Sequence, residues 1–493
     1  MTAVKKKLSD TSLFRQIYIT DLFFCMVSFL QVIAYVLLVF LFIWGIVLVY
    51  RNQRRYDTLF KLRFGLWISA FLIFSVVSIL LNFSVTLPLS LLMLLHVIMC
   101  FFAFYGMHTE PEFNHKLELF KIARLFLVLT TLLSVVGIVA LLFGFQYDWS
   151  FYDIYWIKFP VYENRLTGVY YNPNLLGFVS VAGIFCAHVL SKEQLYTELN
   201  RQPIGKLTLA ICAAVNLFSL ILSDSNAAFV LMIAYCVVYL SYIIFDERRR
   251  LTASKVFIKI VTFLLVSAIF IGSAMLFRSI FKTGFAAITA RTNSIVEVLV
   301  DDSKIISDVG GETPEAEQPK KEGVTFKHIN KNLDSGRFKL WRESLDLFKI
   351  SPVFGIANGN IVFYSEEYLN GILQYGYHNN DLHNGFLTII VSTGIIGALL
   401  FGTFGFRFAK HVIQHLYLRR KSFRNDVYPC LFSFLAGYLP YAFFERALLY
   451  DISFLVLWFW LIMGYMSCFV AKFEPMLEQQ YLFHRERLTR TLL

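Results

Sequence analysis

The sequence predicts an all-α polytopic membrane protein with about 11–12 transmembrane helices, and three observations carry that expectation. First, the 493 residues are 57% hydrophobic and only 16% charged, with a mean hydropathy of +0.61, so one soluble core cannot bury the apolar surface. Second, the apolar residues fall into repeated windows of roughly 20, each long enough as a helix to cross ~30 Å of hydrocarbon. A transmembrane barrel would show short alternating strands instead and is excluded. Third, the basic residues sit in the connections between windows. They cluster at Arg51/Arg54/Arg55/Lys61/Arg63, Lys116/Lys121/Arg124, Lys192/Arg201/Lys206, Arg248/Arg249/Arg250/Lys255 and Arg419/Arg420/Lys421/Arg424.

Spans are expected at 19–50, 64–83, 87–107, 122–145, 173–190, 205–223, 227–245, 256–277, 383–408, 427–445 and 450–471. With this order all five basic clusters fall on one side, which the positive-inside rule makes cytoplasmic. The connection near Phe83, residues 146–172, the turn from Ser223 to Asn226, the long polar segment and Glu445-Arg446 then face outward. A single first span would place Lys5-Lys6-Lys7 outside, against the same rule. Either 19–50 is a hairpin of two short helices, or the amino terminus breaks the rule. The first option, with twelve spans and both termini inside, is preferred.

The formal charge of +11 is accounted for by these loops and implies no nucleic-acid partner. The seven cysteines stand singly in apolar stretches and read as small buried hydrophobes. The first apolar stretch is too long for the core of a cleavable signal.

Three parts follow: helices in 1–277, a large extracytoplasmic loop over 278–382, and helices with a cytoplasmic tail over 383–493. Within the loop, 301–322 is rich in Asp, Glu, Lys, Gly and Pro and is expected to be a mobile excursion. After it Phe338, Trp341, Leu345 and Phe348 recur at helical spacing. They predict an amphipathic helix with Asp334 or Ser335 as its cap and Ser351-Pro352 as its end. Its apolar stripe would lie on lipid or on the spans.

Polar residues that could carry chemistry collect on the outer side. Arg165 precedes Asn172-Pro173-Asn174, where Asn172 suits an N-cap and Pro173 the first turn of a helix. That reading alone describes a well-started membrane helix; the functional one adds that a guanidinium and free helix N–H groups both favour phosphate. Tyr170 and Tyr171 read as interfacial anchors. Ser223-Asp224-Ser225-Asn226 reads first as a capped turn that lines any outer cavity. Arg278 and Lys282 read as snorkelling interface anchors, and Arg291 as a weaker anion ligand.

Arg337 is either in a helix-surface ion pair with Glu343 or Asp346, or a fixed bidentate donor to phosphate. His383, in Asp381-Leu382-His383-Asn384-Gly385 where the apolar pattern resumes, is either a helix-start residue or a general base with a near-neutral pKa. His378 is its rival. The histidine and acidic residues show no metal-ligand spacing, and no nucleotide-binding glycine motif stands at a helix start. No divalent cation or other cofactor is expected.

Taken in order, Arg165 to Gly177, the outer turn Ser223 to Ser225, Gly336-Arg337-x-x-x-Trp341, Ser351-Pro352-Val353-Phe354-Gly355 and His383-Asn384-x-x-Leu387 up to Gly394-Ile395-Ile396-Gly397 resemble the O-antigen ligase and O-antigen (capsular polysaccharide) polymerase superfamily. The resemblance covers roughly 160–400. It implies a C-type, metal-independent, inverting membrane glycosyltransferase whose donor is a polyprenyl-pyrophosphate-linked oligosaccharide. It places the enzyme in the bacterial cytoplasmic membrane, active outward, with polysaccharide export or assembly proteins as further partners. In that picture His383 takes the proton of an acceptor hydroxyl. Arg165 and Arg337, assisted by Arg291, neutralise the leaving pyrophosphate, and Asn172, Asn174, Ser225, Trp341 and Asn384 complete the substrate site. Where many members carry arginine after the outer-turn serine, this chain has Asn226.

Polymerase and ligase both fit these motifs, and the bulky outer loop favours the polymerase. A lipid-linked sugar flippase would show paired interrupted helices and charged residues at mid-membrane.

Overall fold

The structure is a computed structural model that describes residues 9–84, 86–111, 113–151, 155–246, 252–305, 326, 337–373, 381–417 and 422–472. For residues 151, 155, 156 and 291–305 it describes the backbone only. Among these residues twelve helices follow the membrane pattern. They are α1 (Thr11–Phe24), α2 (Gln31–Tyr56), α3 (Gly65–Leu81), α4 (Leu87–Thr109), α5 (His115–Leu142), α6 (Pro173–Leu190), α7 (Lys206–Leu222), α8 (Asn226–Phe245), α9 (Ala253–Ile305), α11 (Gly385–Tyr417), α12 (Tyr428–Ala442) and α13 (Phe454–Ala471). The amphipathic helix α10 (Arg337–Ile350) lies between α9 and α11. Eight of the twelve are long and apolar enough to cross a bilayer, and α3 and α7 are shorter but apolar.

The apolar stretch 19–50 is broken at Cys25–Leu30, so it supplies two helices. With 14 residues α1 rises only ~21 Å, less than the hydrocarbon core, and its Phe14, Tyr18, Ile19 and Phe23 are fully buried. Its start meets the end of α2: Asn52 Nδ2 donates to Thr11 Oγ1 at 3.0 Å, and Arg51 donates to the Ser9 carbonyl. The amino-terminal end therefore lies beside the Arg51 cluster, on the side of the basic connections.

The centre of the bundle is α13, whose residues are nearly all buried. Trp460 Nε1 donates to the Leu448 carbonyl at 2.8 Å, and the Tyr438 hydroxyl donates to the Leu455 carbonyl at 2.7 Å, so the polar atoms of these two buried rings are satisfied. Five of the seven cysteines are buried, and all seven are free thiols. Ionic groups are enclosed near the basic connections, that of Arg15 among them. Arg15, with no exposed surface, holds Glu110 at 2.6 Å and Glu118 at 3.0 Å and donates to the Ala103 carbonyl at 3.0 Å.

Departures from an all-helical chain occur on the opposite side. Tyr147–Phe151 pairs antiparallel with Tyr155–Phe159, and Val161–Tyr162 with Arg165–Leu166, giving two small hairpins before α6. Near the outer end α11 is interrupted at Gly394 (φ +63°). The segment after Pro352 runs across the break: Ile356 N donates to the Val391 carbonyl, Ala357 N to the Ser392 carbonyl and Ile395 N to the Pro352 carbonyl, all within 3.0 Å. Backbone groups that the kink would strand in hydrocarbon are thereby paired. Gly355 (φ +73°) and Gly394 face each other so closely that a Cβ on either collides with the other segment's backbone. The Ser351-Pro352-Val353-Phe354-Gly355 and Gly394 motifs thus build one crossing.

Beyond residue 277 the helix α9 continues without a break to Ile305, so the outer segment begins as an extension of a span. Residues 306–325, most of the expected excursion at 301–322, lie outside the described residues, as do Asp334, Ser335 and His378.

Candidate active site

Asn384 starts α11: its Oδ1 accepts from Phe386 N and Leu387 N, both at 3.0 Å. His383, the residue before, has φ +43°, a left-handed conformation that histidine enters more readily than most side chains. Its N–H donates to Asp381 Oδ1 at 2.6 Å. Gly385 N donates to the Glu445 carbonyl at 3.1 Å, which docks the start of α11 onto the turn that follows α12.

That docking gathers charge. His383 Nδ1 lies 3.3 Å from Asp381 Oδ1 and 3.6 Å from Glu445 Oε2, drawn to both carboxylates without a well-formed hydrogen bond to either. The other Glu445 oxygen accepts from Arg337 Nη2 at 2.9 Å. Arg446 pairs with Asp451 at 2.9 Å and brings its Nε to 3.8 Å from Asp381 Oδ2.

Partial burial disfavours the His383 imidazolium, but Glu445 and Asp381 outweigh it and hold the pKa above that of an ordinary histidine. Burial likewise opposes the Asp381 carboxylate, and Arg446 and His383 more than compensate, so its pKa lies below the usual range. His383 keeps about a third of its side chain exposed.

The surface ion pair considered for Arg337 does not form. Glu343 is buried and accepts from Ile372 N at 2.9 Å and from the Ser365 hydroxyl, while Asp346 pairs with Lys349 at 2.7 Å. Glu343 thus folds the loop after α10, and Arg337 is left for Glu445. Its guanidinium lies 5.9 Å from the Phe444 ring centroid, and its buried Nε has no hydrogen-bond partner among the described residues. The apolar stripe of α10 divides: Leu340 and Leu347 are buried, Trp341 and Phe348 pack partly against their cluster, and Phe338 and Leu345 remain exposed. Trp341 sits 6.2 Å from the Phe444 ring, one turn along from Arg337.

A second grouping surrounds the start of α6. Asn172 caps it as expected, accepting from Asn174 N at 2.8 Å. Arg165, on the second hairpin, is buried and pairs with Glu163 at 2.7 Å, with Asn174 Oδ1 at 3.5 Å. Tyr170 is no interfacial anchor, because it is fully buried with its ring edge-on to Phe23 at 6.0 Å.

Ser225 caps α8, accepting from Ala228 N at 3.3 Å, and it packs against α6 where Gly177 has no side chain. Arg278 and Lys282 both fold onto Asp224, at 2.5 and 2.7 Å. For Arg291 only the backbone within α9 is described.

His383, Asn384, Arg337 and Trp341 are therefore brought together. Asp381, Glu445 and Arg446 complete that group and were not singled out from sequence. A charged Glu-Arg pair between two apolar helices on the outer side was the available signal.

Comparison with known families supplies the remaining observation. A family model described as O-Antigen ligase matches residues 211–402, a stretch that includes Arg337, Asp381 and His383 and leaves Arg165, Glu445 and Arg446 outside it. No curated protein matches the chain. Over residues 211–402 this multi-span membrane protein is therefore similar to the O-antigen ligase family, which supports a membrane glycan ligase or polymerase type of function.

Proposed function

We propose that the chain is an inverting glycosyltransferase of the bacterial cytoplasmic membrane, with its site facing outward, that polymerises polyprenyl-pyrophosphate-linked oligosaccharide repeats into a surface polysaccharide. The observation that carries this reading is His383 held through Nδ1 between Asp381 and Glu445, with Arg337 on the second oxygen of Glu445. Two carboxylates beside Nδ1 favour the tautomer with hydrogen on that nitrogen and leave the Nε2 lone pair for substrate. An acceptor hydroxyl transfers its proton to Nε2 as its oxygen forms a bond to the sugar carbon. The bond from that carbon to the pyrophosphate oxygen breaks with inversion, and its electrons leave with polyprenyl pyrophosphate.

Arg337, with donors to spare, lies where the leaving pyrophosphate gathers negative charge, and Arg165 serves the same charge from the α6 side. Asn384 positions His383 by fixing the helix start, and Trp341 offers an aromatic face to a sugar. Purified protein given only lipid-linked repeats tests the reading: chains that lengthen without any other acceptor are expected. Transfer that occurs only when a different acceptor is supplied would make it a ligase and end the polymerase assignment.

A further inference from the structure

A second cationic pocket, whose lining does not include His383, lies between the Ser223–Asn226 turn and α9. It encloses about 490 Å³ and is lined by Asp224, Asn226, Arg278, Ser279, Lys282 and Thr283 among others. Arg278 and Lys282, one helical turn apart, both reach Asp224 Oδ1, and Arg278 also donates to Asn226 Oδ1 at 2.9 Å. One carboxylate faces two cations, so the pocket retains one net positive charge. Arg278 is 91% buried, its guanidinium lies 4.5 Å from the Phe229 ring centroid, and its Nε has no hydrogen-bond partner among the described residues. The first turn of α8, capped by Ser225, opens at the same place and adds the positive end of a 20-residue helix.

The depth of the pocket indicates what it meets. Arg278 is 25 residues beyond Ala253 (278 − 253), about 37 Å along α9, which carries it past a hydrocarbon core of ~30 Å. Leu276 and Ile280, beside it, are 61% and 63% exposed and face lipid. A buried, under-compensated guanidinium at headgroup depth with an apolar flank suits an anion carried on a hydrocarbon tail. We infer that the pocket of Asp224, Arg278 and Lys282 binds the phosphate or pyrophosphate group of a membrane lipid. Where that lipid is the glycan donor, the inference rests on the transfer reaction proposed above; where it is a resident anionic phospholipid, it does not.

The test measures binding without turnover, so that this inference and the transfer reading fail separately. The full chain in maltoside detergent, which carries no phosphate, is titrated with polyprenyl pyrophosphate and, in a parallel arm, with phosphatidylglycerol. At least one lipid is expected to bind, and the tighter one identifies the source of the phosphate. Lys282→Gln is expected to weaken that binding about tenfold.

Asp224→Asn is expected to strengthen it several-fold, because it removes the competing carboxylate. Asparagine also tolerates the left-handed backbone at this position, φ +48°. Thermal unfolding of each variant reports whether the fold is intact. If neither lipid binds the parent chain, if both folded variants bind the two lipids as the parent chain does, or if Asp224→Asn weakens binding, the cluster is a structural ion pair and the inference is overturned.

Discussion

Two charged clusters occupy opposite ends of the molecule and are built differently. At the end bearing the basic connections, Arg15 is sealed between Glu110 and Glu118, backed by the Ala103 carbonyl and by the Tyr465 hydroxyl, which donates to Glu118 at 3.0 Å. At the other end His383 is a third exposed, holds two carboxylates loosely, and stands beside an Arg337 with unused donors. A closed, fully bonded ion cluster leaves nothing for a ligand and adds specificity to packing. An open cluster with strained backbone and spare donors is what a reacting group needs. Charge inside an apolar bundle is therefore not itself a mark of function; unused hydrogen-bonding capacity at an accessible surface is.

Substitutions at the two ends should separate chemistry from stability. His383→Ala is expected to lower transfer by about 10²–10⁴-fold, with a loss of stability in detergent of no more than about 1–2 kcal/mol, the cost of alanine in a left-handed backbone. A larger loss of stability at this position would erase the contrast. Arg15→Ala is expected to do the reverse. Two buried carboxylates lose their partner, at a cost of about 3–5 kcal/mol in unfolding measurements, while any protein that remains folded keeps its rate per molecule.

The smallest effect is on pH dependence. Since the carboxylates raise the His383 pKa, the neutral base gains with rising pH, and the rate is expected to climb through that raised pKa. Glu445→Gln removes the larger of the two carboxylate influences, so the acidic limb of the rate profile should move to lower pH. An unmoved limb, or one displaced upward, would mean that another group is the base.

Hydropathy and charge placement were sufficient for the helices, because a spanning segment must bond its own backbone and therefore announces itself as a long apolar window. Local capping was equally legible: Asn172 before Pro173, and Ser225 at the head of α8, do what those residue types do at helix starts. Less could be read where a side chain chooses among partners distant in sequence. Arg337 has Glu343 and Asp346 on its own helix, yet it pairs with Glu445, 108 residues away, since Glu343 is already spent on the backbone of Ile372. Arg278 and Lys282 read as anchors because their α9 neighbours are apolar; their carboxylate comes from a turn 54 and 58 residues earlier.

By itself, then, the sequence determined that this is a helical membrane protein with its basic loops on one side, and that His383 and Arg337 belong to the other. These are properties of single segments against a solvent, water or hydrocarbon, and need no knowledge of neighbours. Only the tertiary structure decided that Glu445 joins His383 to Arg337, that the glycines of two motifs share one crossing, and that Asp224 holds two cations in one pocket. Pairings of that kind depend on distances between chain segments, and short-range charge interactions in a low dielectric are settled by ångströms that no linear pattern records.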